Sequence, residues 1–209
     1  MFITLEGPDG SGKSTQAVRL VEHLTERGYR VLATREPGGT PIGQQIRTIL
    51  MAHENTAMRR ETEFLLFSAS RAQLVREVIQ PHLAAGGVVV CDRFFDSSLA
   101  YQGYGHGLPL EMIRQITHFA TDGLSPDLTL LFDIDPEAGL RRRQIGNADW
   151  NRLDDMALAF HQRVQAGFQA LVAAEPQRWV TINADQPPDA VTAEMLQAVS
   201  ARLPQSGRR

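Results

Sequence analysis

Residues Gly7–Ser14 read GPDGSGKS. They follow an apolar run that starts at Met1 and precede STQAVRLVEHLTERG, which has helical patterning. The segment fits G-x-x-x-x-G-K-[ST] with a predicted strand before it and a predicted helix after it, the context in which that pattern is specific. Few short segments restrict a fold as much, because a buried strand must end in a tight turn whose last residues open a helix. Without β-carbons at the glycines, consecutive backbone N–H groups can turn inward on phosphate oxygens, and the helix N-terminus adds partial positive charge. Lys13 would reach the β- and γ-phosphates and Ser14 a Mg²⁺ ion. The competing reading, a glycine-rich turn with an incidental lysine, does not account for strand, loop and helix standing in the right order.

Apolar runs typical of buried parallel strands recur at Phe2–Leu5, Arg30–Thr34, Val88–Cys91, Leu128–Asp133 and Trp179–Asn183, with helical patterns between them. The alternation predicts an α/β fold with a parallel sheet. Gly28 should stop the first helix, and Asp135 with Pro136 should open the one after LTLLFDI. Phe160, Val164, Phe168 and Leu171 recur at helical spacing and should pack in the core. The pattern from about Arg60 to Ala85 contains Pro81, where a kink or an early end is expected. No repeat or linker interrupts the chain, so residues 1–209 read as one domain, with a tail from residue 203 that has little to bury. Two polar excursions, REPGGTP at Arg35–Pro41 and RRRQIGNADWNRLDD at Arg141–Asp155, should lie at the carboxyl edge of the sheet, where open α/β folds bind ligands.

With 21 Lys and Arg against 24 Asp and Glu, the chain has a net charge of −3 and no basic field to attract a polynucleotide. Its single cysteine, Cys91, excludes an internal disulfide and reads as a small buried apolar residue. No run approaches the ~18 apolar residues of a membrane span, and no basic region or cleavage signal precedes Glu6, so the expected location is the cytoplasm. The six histidines are scattered without metal spacing, and no serine or cysteine triad signature is present.

CDRFFDSSLAYQG follows the third strand. An acid that ends a hydrophobic strand beside a phosphate loop commonly organises Mg²⁺, and Asp92 holds that position with Arg93 beside it. Taken alone, Asp92 reads equally well as a helix cap and Arg93 as a surface ion pair. In EFLLFSASRAQ, Phe67 and Arg71 stand four residues apart on one helix face, where a ring and a planar donor fork could hold a nucleobase. Core packing for Phe67 and a solvated charge for Arg71 is the plainer reading.

GPDGSGKSTQ, REPGGT, LLFSASRAQ, DRFFDSSLAYQG, PDLTLLFDIDPEAGLRRR and NRLDDMALAFHQRV stand in an order and spacing that resemble bacterial thymidylate kinase over nearly the whole chain. The resemblance implies a P-loop NTPase three-layer αβα sandwich with a five-stranded parallel sheet and a small lid near residues 141–155. It implies phosphorylation of dTMP to dTDP by ATP and Mg²⁺, by direct in-line transfer, in dTTP synthesis for DNA replication. It also implies a cytoplasmic homodimer with neither a nucleic acid polymer nor a membrane as partner. ATP would lie on Gly7, Pro8, Asp9, Gly10, Ser11, Gly12, Lys13, Ser14 and Thr15, with Ala184 and Gln186 bordering adenine; Ser14 and Asp92 would hold the metal.

For dTMP, the resemblance stacks Phe67 on thymine, directs Arg71 to O4, and turns Ser98 and Gln102, with Ser97 adjacent, toward the nucleotide. Asp9 would meet the 3′-hydroxyl, Tyr101 would crowd the 2′ position, and Arg93 would clamp the acceptor phosphate near Arg35 and Glu36. Human and yeast relatives carry arginine where this chain has Gly10, which moves the catalytic cation to the lid. There Arg142 and Arg152 are the expected catalytic residues beside Lys13 and Arg93, while Ala148 stands where relatives carry a tip arginine. Arg141 and Arg143 read as a solvated helix end. The acceptor phosphate has a second pKa of about 6 and needs no general base. Two other readings are a small P-loop kinase acting on a different nucleotide or metabolite, and a nucleotide switch controlling a partner. A switch would require a water-positioning residue and a partner surface.

Overall fold

The computed structural model describes residues 1–145 and 150–203. Ala148, expected at the lid tip, and the tail beyond Leu203 lie outside the described residues. The chain runs β1 (Phe2–Glu6), α1 (Lys13–Glu26), β2 (Val31–Arg35), α2 (Pro41–Met51), α3 (Arg60–Leu74), a π-helical turn (Val75–Ile79) and α4 (Gln80–Ala84). It continues with β3 (Val88–Asp92), α5 (Phe95–Ser98), a second π-helical segment (Leu99–Gly105), α6 (Leu110–Thr121) and β4 (Leu128–Asp133). α7 (Pro136–Ile145), α8 (Leu158–Ala174), β5 (Trp179–Asn183) and α9 (Pro188–Ser200) complete it.

All five strands are parallel, in the order β2-β3-β1-β4-β5. The central three are buried along nearly their whole length because helices cover both faces, so their sequences read as unbroken apolar runs. Alternate residues serve opposite layers. Ile3, Leu5, Val90, Leu130 and Phe132 pack against Leu20 and Leu24 of α1 and Val191, Met195 and Val199 of α9. On the other face, Phe2, Val89 and Cys91 meet Leu74, Val75 and Ile79. Leu131 and Trp179 meet the expected α8 stripe of Phe160, Val164, Phe168 and Leu171. This is the three-layer αβα arrangement, and each strand lies within a residue of its predicted bounds.

The helix stops are local. Gly28 takes φ +83° after α1, and the Asp135 carboxylate caps α7 by accepting from Ala138 N–H at 3.0 Å. Pro81 does not end its helix. The π-helical turn just before it, with Gln80 N–H bonded to Val75 O, absorbs the proline without breaking the helical run into Ala84.

β1 crosses to β2 past β3, and β3 leads to β4 past β1. The crossovers part at the carboxyl ends of β1 and β3, which open the crevice there.

Candidate active site

A cavity of about 400 Å³ occupies that crevice. The Gly7–Ser14 loop forms one end, the Phe67–Arg71 face of α3 the other, and Arg93 stands between them. Gly7, Gly10 and Gly12 all have positive φ, the conformations that let the loop wrap inward. Lys13 is buried and folds back on its own loop, donating to Gly7 O at 3.0 Å, Pro8 O at 2.7 Å and Ser11 Oγ at 3.1 Å. Burial and the neighbouring Arg93 bring its pKa down to about 8, against the pull of Asp9, Asp92 and Glu6. Ser14 Oγ donates to Asp92 Oδ2 at 2.5 Å. Gly12, Thr15 and Asp92 also line the cavity.

Arg93 holds φ +69°, rare for a side-chain-bearing residue, and its guanidinium is fixed from several directions. It donates to Gly7 O and Ser97 Oγ at 3.0 Å each, to Asp9 Oδ1 at 2.7 Å and to the Tyr101 hydroxyl at 3.2 Å. Tyr101 donates in turn to Asp9 Oδ2 at 2.6 Å. Burial alone would raise the Asp9 pKa, but Arg93, Lys13 and the Tyr101 hydroxyl outweigh it and hold the carboxyl well below its usual range. The conformation of Arg93 rests on Glu6 at the end of β1, which accepts from Phe94 N–H at 2.7 Å and Ser97 Oγ at 2.6 Å. Burial and the nearby Asp96 push the Glu6 carboxyl upward.

At the far end, Arg71 is fully buried rather than solvated. Its Nε donates to Glu36 Oε2 at 2.8 Å and its Nη2 to Ser98 Oγ at 3.0 Å, whereas Nη1 and Glu36 Oε1 have no partner among the described residues. Buried polar atoms nearly always pair, so this orphan donor and acceptor on the cavity wall mark where a ligand would bind. Phe67 is half-buried, belongs to none of the three core clusters and lines the cavity. Ser97, Ser98, Tyr101 and Gln102 line it too, carried by α5 and the π-helical segment, as does the exposed Arg35.

The lid arginines separate. Arg141 makes an exposed i,i+4 pair with Glu137. Arg142 lines the cavity and donates to Ala184 O at 2.7 Å and Asp185 Oδ1 at 2.8 Å, tying α7 to the loop after β5. Arg143 lines it as well, paired with buried Asp154 at 2.6 Å and close enough to Asp9 to help lower its pKa. Arg152 is not among the lining residues; it binds Glu63. Gln186 is not among the cavity-lining residues, and its amide donates to Asn183 O and Glu194 Oε2. Arg143, read from sequence as part of a solvated helix end, instead lines the cavity, and Glu6, Glu63 and Arg47 belong to the site or its support without a sequence reading that marks them. The one available signal for Glu6 was an acid ending a buried apolar strand.

A family model described as Thymidylate kinase matches residues 5–195. Among curated proteins, a thymidylate kinase of Synechococcus sp. (strain JA-2-3B'a(2-13)) is 53% identical over 204 residues, covering 98% of this chain and 96% of its own. One from Deinococcus radiodurans is 52% identical over 205 residues, covering 97% of each. One from Exiguobacterium sp. is 50% identical over 208 residues, covering 99% of this chain and 97% of its own. Among solved structures, a thymidylate kinase from Ehrlichia chaffeensis superposes with a TM-score of 0.79 at 33% identity, covering 95% of this chain and 98% of that one.

Proposed function

The chain belongs to the thymidylate kinase family, and we propose that it transfers the γ-phosphoryl group of ATP to the 5′-phosphate of dTMP by direct in-line displacement, giving dTDP and ADP. The observation that carries this is one continuous cavity with a phosphate loop at one end, an orphan donor beside an exposed aromatic face at the other, and a fixed guanidinium between them.

Two polyanions must be brought together, so charge neutralisation and alignment dominate the task. The loop amides and Lys13 would receive the ATP phosphates; Lys13 must first leave Gly7 O and Pro8 O. Arg93, pre-positioned by Asp9, Tyr101 and Ser97, would hold the acceptor phosphate where one of its oxygens faces the γ-phosphorus. As that oxygen bonds to phosphorus, the bond to the β,γ-bridging oxygen breaks and ADP departs. The acceptor is already ionised near neutrality, which suits a cavity with no histidine among its described lining residues. Thymine would lie against Phe67 with its O4 on Arg71 Nη1, and Tyr101 would close the 2′ side of the sugar. Arg142 and Arg143 would bring the lid charge to the phosphates and keep water out.

The Ser14 hydroxyl and Asp92 carboxylate offer hard oxygen donors on the cavity wall, which fits Mg²⁺, an ion that retains waters and shares substrate phosphates. Bound there, Mg²⁺ would neutralise charge on the transferred group. Among the described residues no helix is long and apolar enough to cross a membrane. We further propose a cytoplasmic homodimer serving dTTP synthesis for DNA replication, in keeping with the family.

The test is ADP release with dTMP, dUMP, dCMP and dGMP as acceptors, with Mg²⁺ and with EDTA. Turnover confined to thymidylate and close analogues, and abolished by EDTA, is expected. Equal turnover of dGMP, or ADP release that needs no acceptor, would refute the assignment.

A further inference from the structure

Behind the cavity wall that Gln102 lines stands Glu63, a carboxylate whose side chain is 2% exposed. Three groups converge on it. Gln102 Nε2 donates to Oε1 at 2.8 Å, His106 Nε2 lies 3.2 Å from the same oxygen, and Arg152 Nη2 binds Oε2. Arg152 is a permanent cation, and its pair with Glu63 favours the ionised carboxyl. Burial opposes ionisation, but the nearby His106 and Arg152 outweigh it and leave the group below its usual range. An ionised carboxylate has no proton to give. A primary amide beside it can turn only its NH₂ inward, which leaves the carbonyl Oε1 as the atom available to the cavity.

Resting on the dTMP reading above, we infer that Glu63 sets the base preference of the cavity by locking the Gln102 amide with its carbonyl toward the base. A fixed acceptor matches a pyrimidine whose N3 carries hydrogen, as in thymine and uracil. It opposes the N3 lone pair of cytosine. Arg71 Nη1 supplies the complementary donor, suited to the O4 acceptor of thymine and not to the amino group of cytosine. Acceptor and donor thus reject cytosine together, each left without a partner in a buried place. Glu63 touches no substrate in this arrangement; it is a positioning residue that acts through Gln102. Because both side chains come from separate elements, α3 and the π-helical segment, the packing of these two elements sets the amide orientation.

The test is the ratio of kcat/KM for dTMP to that for dCMP in wild type, Glu63→Gln, Gln102→Leu and the double variant. Glutamine at position 63 can donate or accept, so the Gln102 amide no longer has one permitted orientation. The ratio is expected to fall by about tenfold or more, the scale of one buried hydrogen bond, through KM rather than kcat. The double variant is expected to match Gln102→Leu. An unchanged ratio in folded Glu63→Gln, with Gln102→Leu still lowering it, overturns the inference and leaves the base-site reading standing. If Gln102→Leu also leaves the ratio unchanged, the base-site reading fails and the inference with it. Should Glu63→Gln not fold, wild type supplies the measurement. The Gln102 side-chain NH₂, identified in nitrogen-15 spectra by its loss in Gln102→Leu, is expected to resist solvent exchange with and without dTMP. Rapid exchange in either state overturns the inference.

Discussion

Gly10 of the phosphate loop and Gly139 of α7 meet backbone to backbone: a β-carbon on Gly10 would strike the Gly139 carbonyl, and one on Gly139 would strike Asp9 O. Gly10 also holds φ +78°, which an L side chain rarely adopts. The arginine found here in human and yeast relatives therefore has no room in this chain. Gly139→Ala is expected to destabilise the protein by about 1–3 kcal/mol through overpacking, and Gly10→Arg by more, without any gain in kcat. Urea unfolding and steady-state kinetics check both; a stable, faster Gly10→Arg enzyme would show that α7 can yield.

Lys13 carries a pH signature. With its pKa brought down to about 8, the free enzyme is expected to lose affinity for ATP as pH rises through that value, because only the ammonium form neutralises phosphate. The effect on stability has the opposite sign. Between about 8 and the ordinary 10.5 the unfolded chain binds more protons than the fold, so this residue makes stability rise with pH there. A kcat/KM for ATP that stays level from pH 7 to 9 would contradict the first expectation. Lys13→Ala should keep the fold and lower kcat by about 10²-fold or more.

The three arginines that differ in partner should differ in kinetics. Arg142→Ala is expected to raise KM for ATP, because its partners Ala184 and Asp185 lie on the side proposed for adenine, and to lower kcat with it. Arg143→Ala should lower kcat and kcat/KM together, toward the ~10³-fold seen when an arginine finger is lost. Arg152→Ala leaves Glu63 buried without its cation, and should raise KM for dTMP more than it lowers kcat. A large loss of kcat in Arg152→Ala alone would mean that Arg152 leaves Glu63 for the phosphates during turnover.

Phe67 lies outside the core clusters, so Phe67→Ala should melt near wild type. Loss of a stacking face worth about 1–3 kcal/mol should raise KM for dTMP by roughly tenfold to a hundredfold, with KM for ATP little changed. Equal shifts in both constants would return the ring to a structural role.

The parts readable from sequence are those whose cause is local. Five strands, the glycine loop, the Asp135 cap and the Gly28 stop all follow from neighbouring residues; Asp92 meets Ser14 across 78 residues and is legible only from its place at the end of an apolar strand in a phosphate-loop fold. What escaped depends on distant packing. Arg71 looked like a solvated charge because its partners Glu36 and Ser98 lie 35 and 27 residues away. Glu63 finds Arg152 across 89 residues, and nothing around either one announces the other. Which of Arg141, Arg142, Arg143 and Arg152 faces the cavity is fixed by how α7 and the segment after it dock. Helical periodicity does not encode that rotation. Nor did Pro81 reveal that a wider turn before it would carry the helix past.

The ladder hydrogen bonds of the sheet run one residue beyond the strands. Arg93 N–H reaches Leu5 O at 2.9 Å, Glu36 N–H reaches Asp92 O at 3.0 Å, and Ala184 N–H reaches Asp133 O at 2.9 Å. The first residue of each of these three loops thus continues the sheet ladder, Arg93 between the interior strands β3 and β1 and the other two at its edges. The Arg93 amide can be released only when those interior strands themselves part. Hydrogen exchange at Arg93 should accordingly follow global unfolding, as at the centre of β1, so that the residue proposed to clamp the acceptor phosphate keeps its place through every partial opening short of the loss of the whole domain.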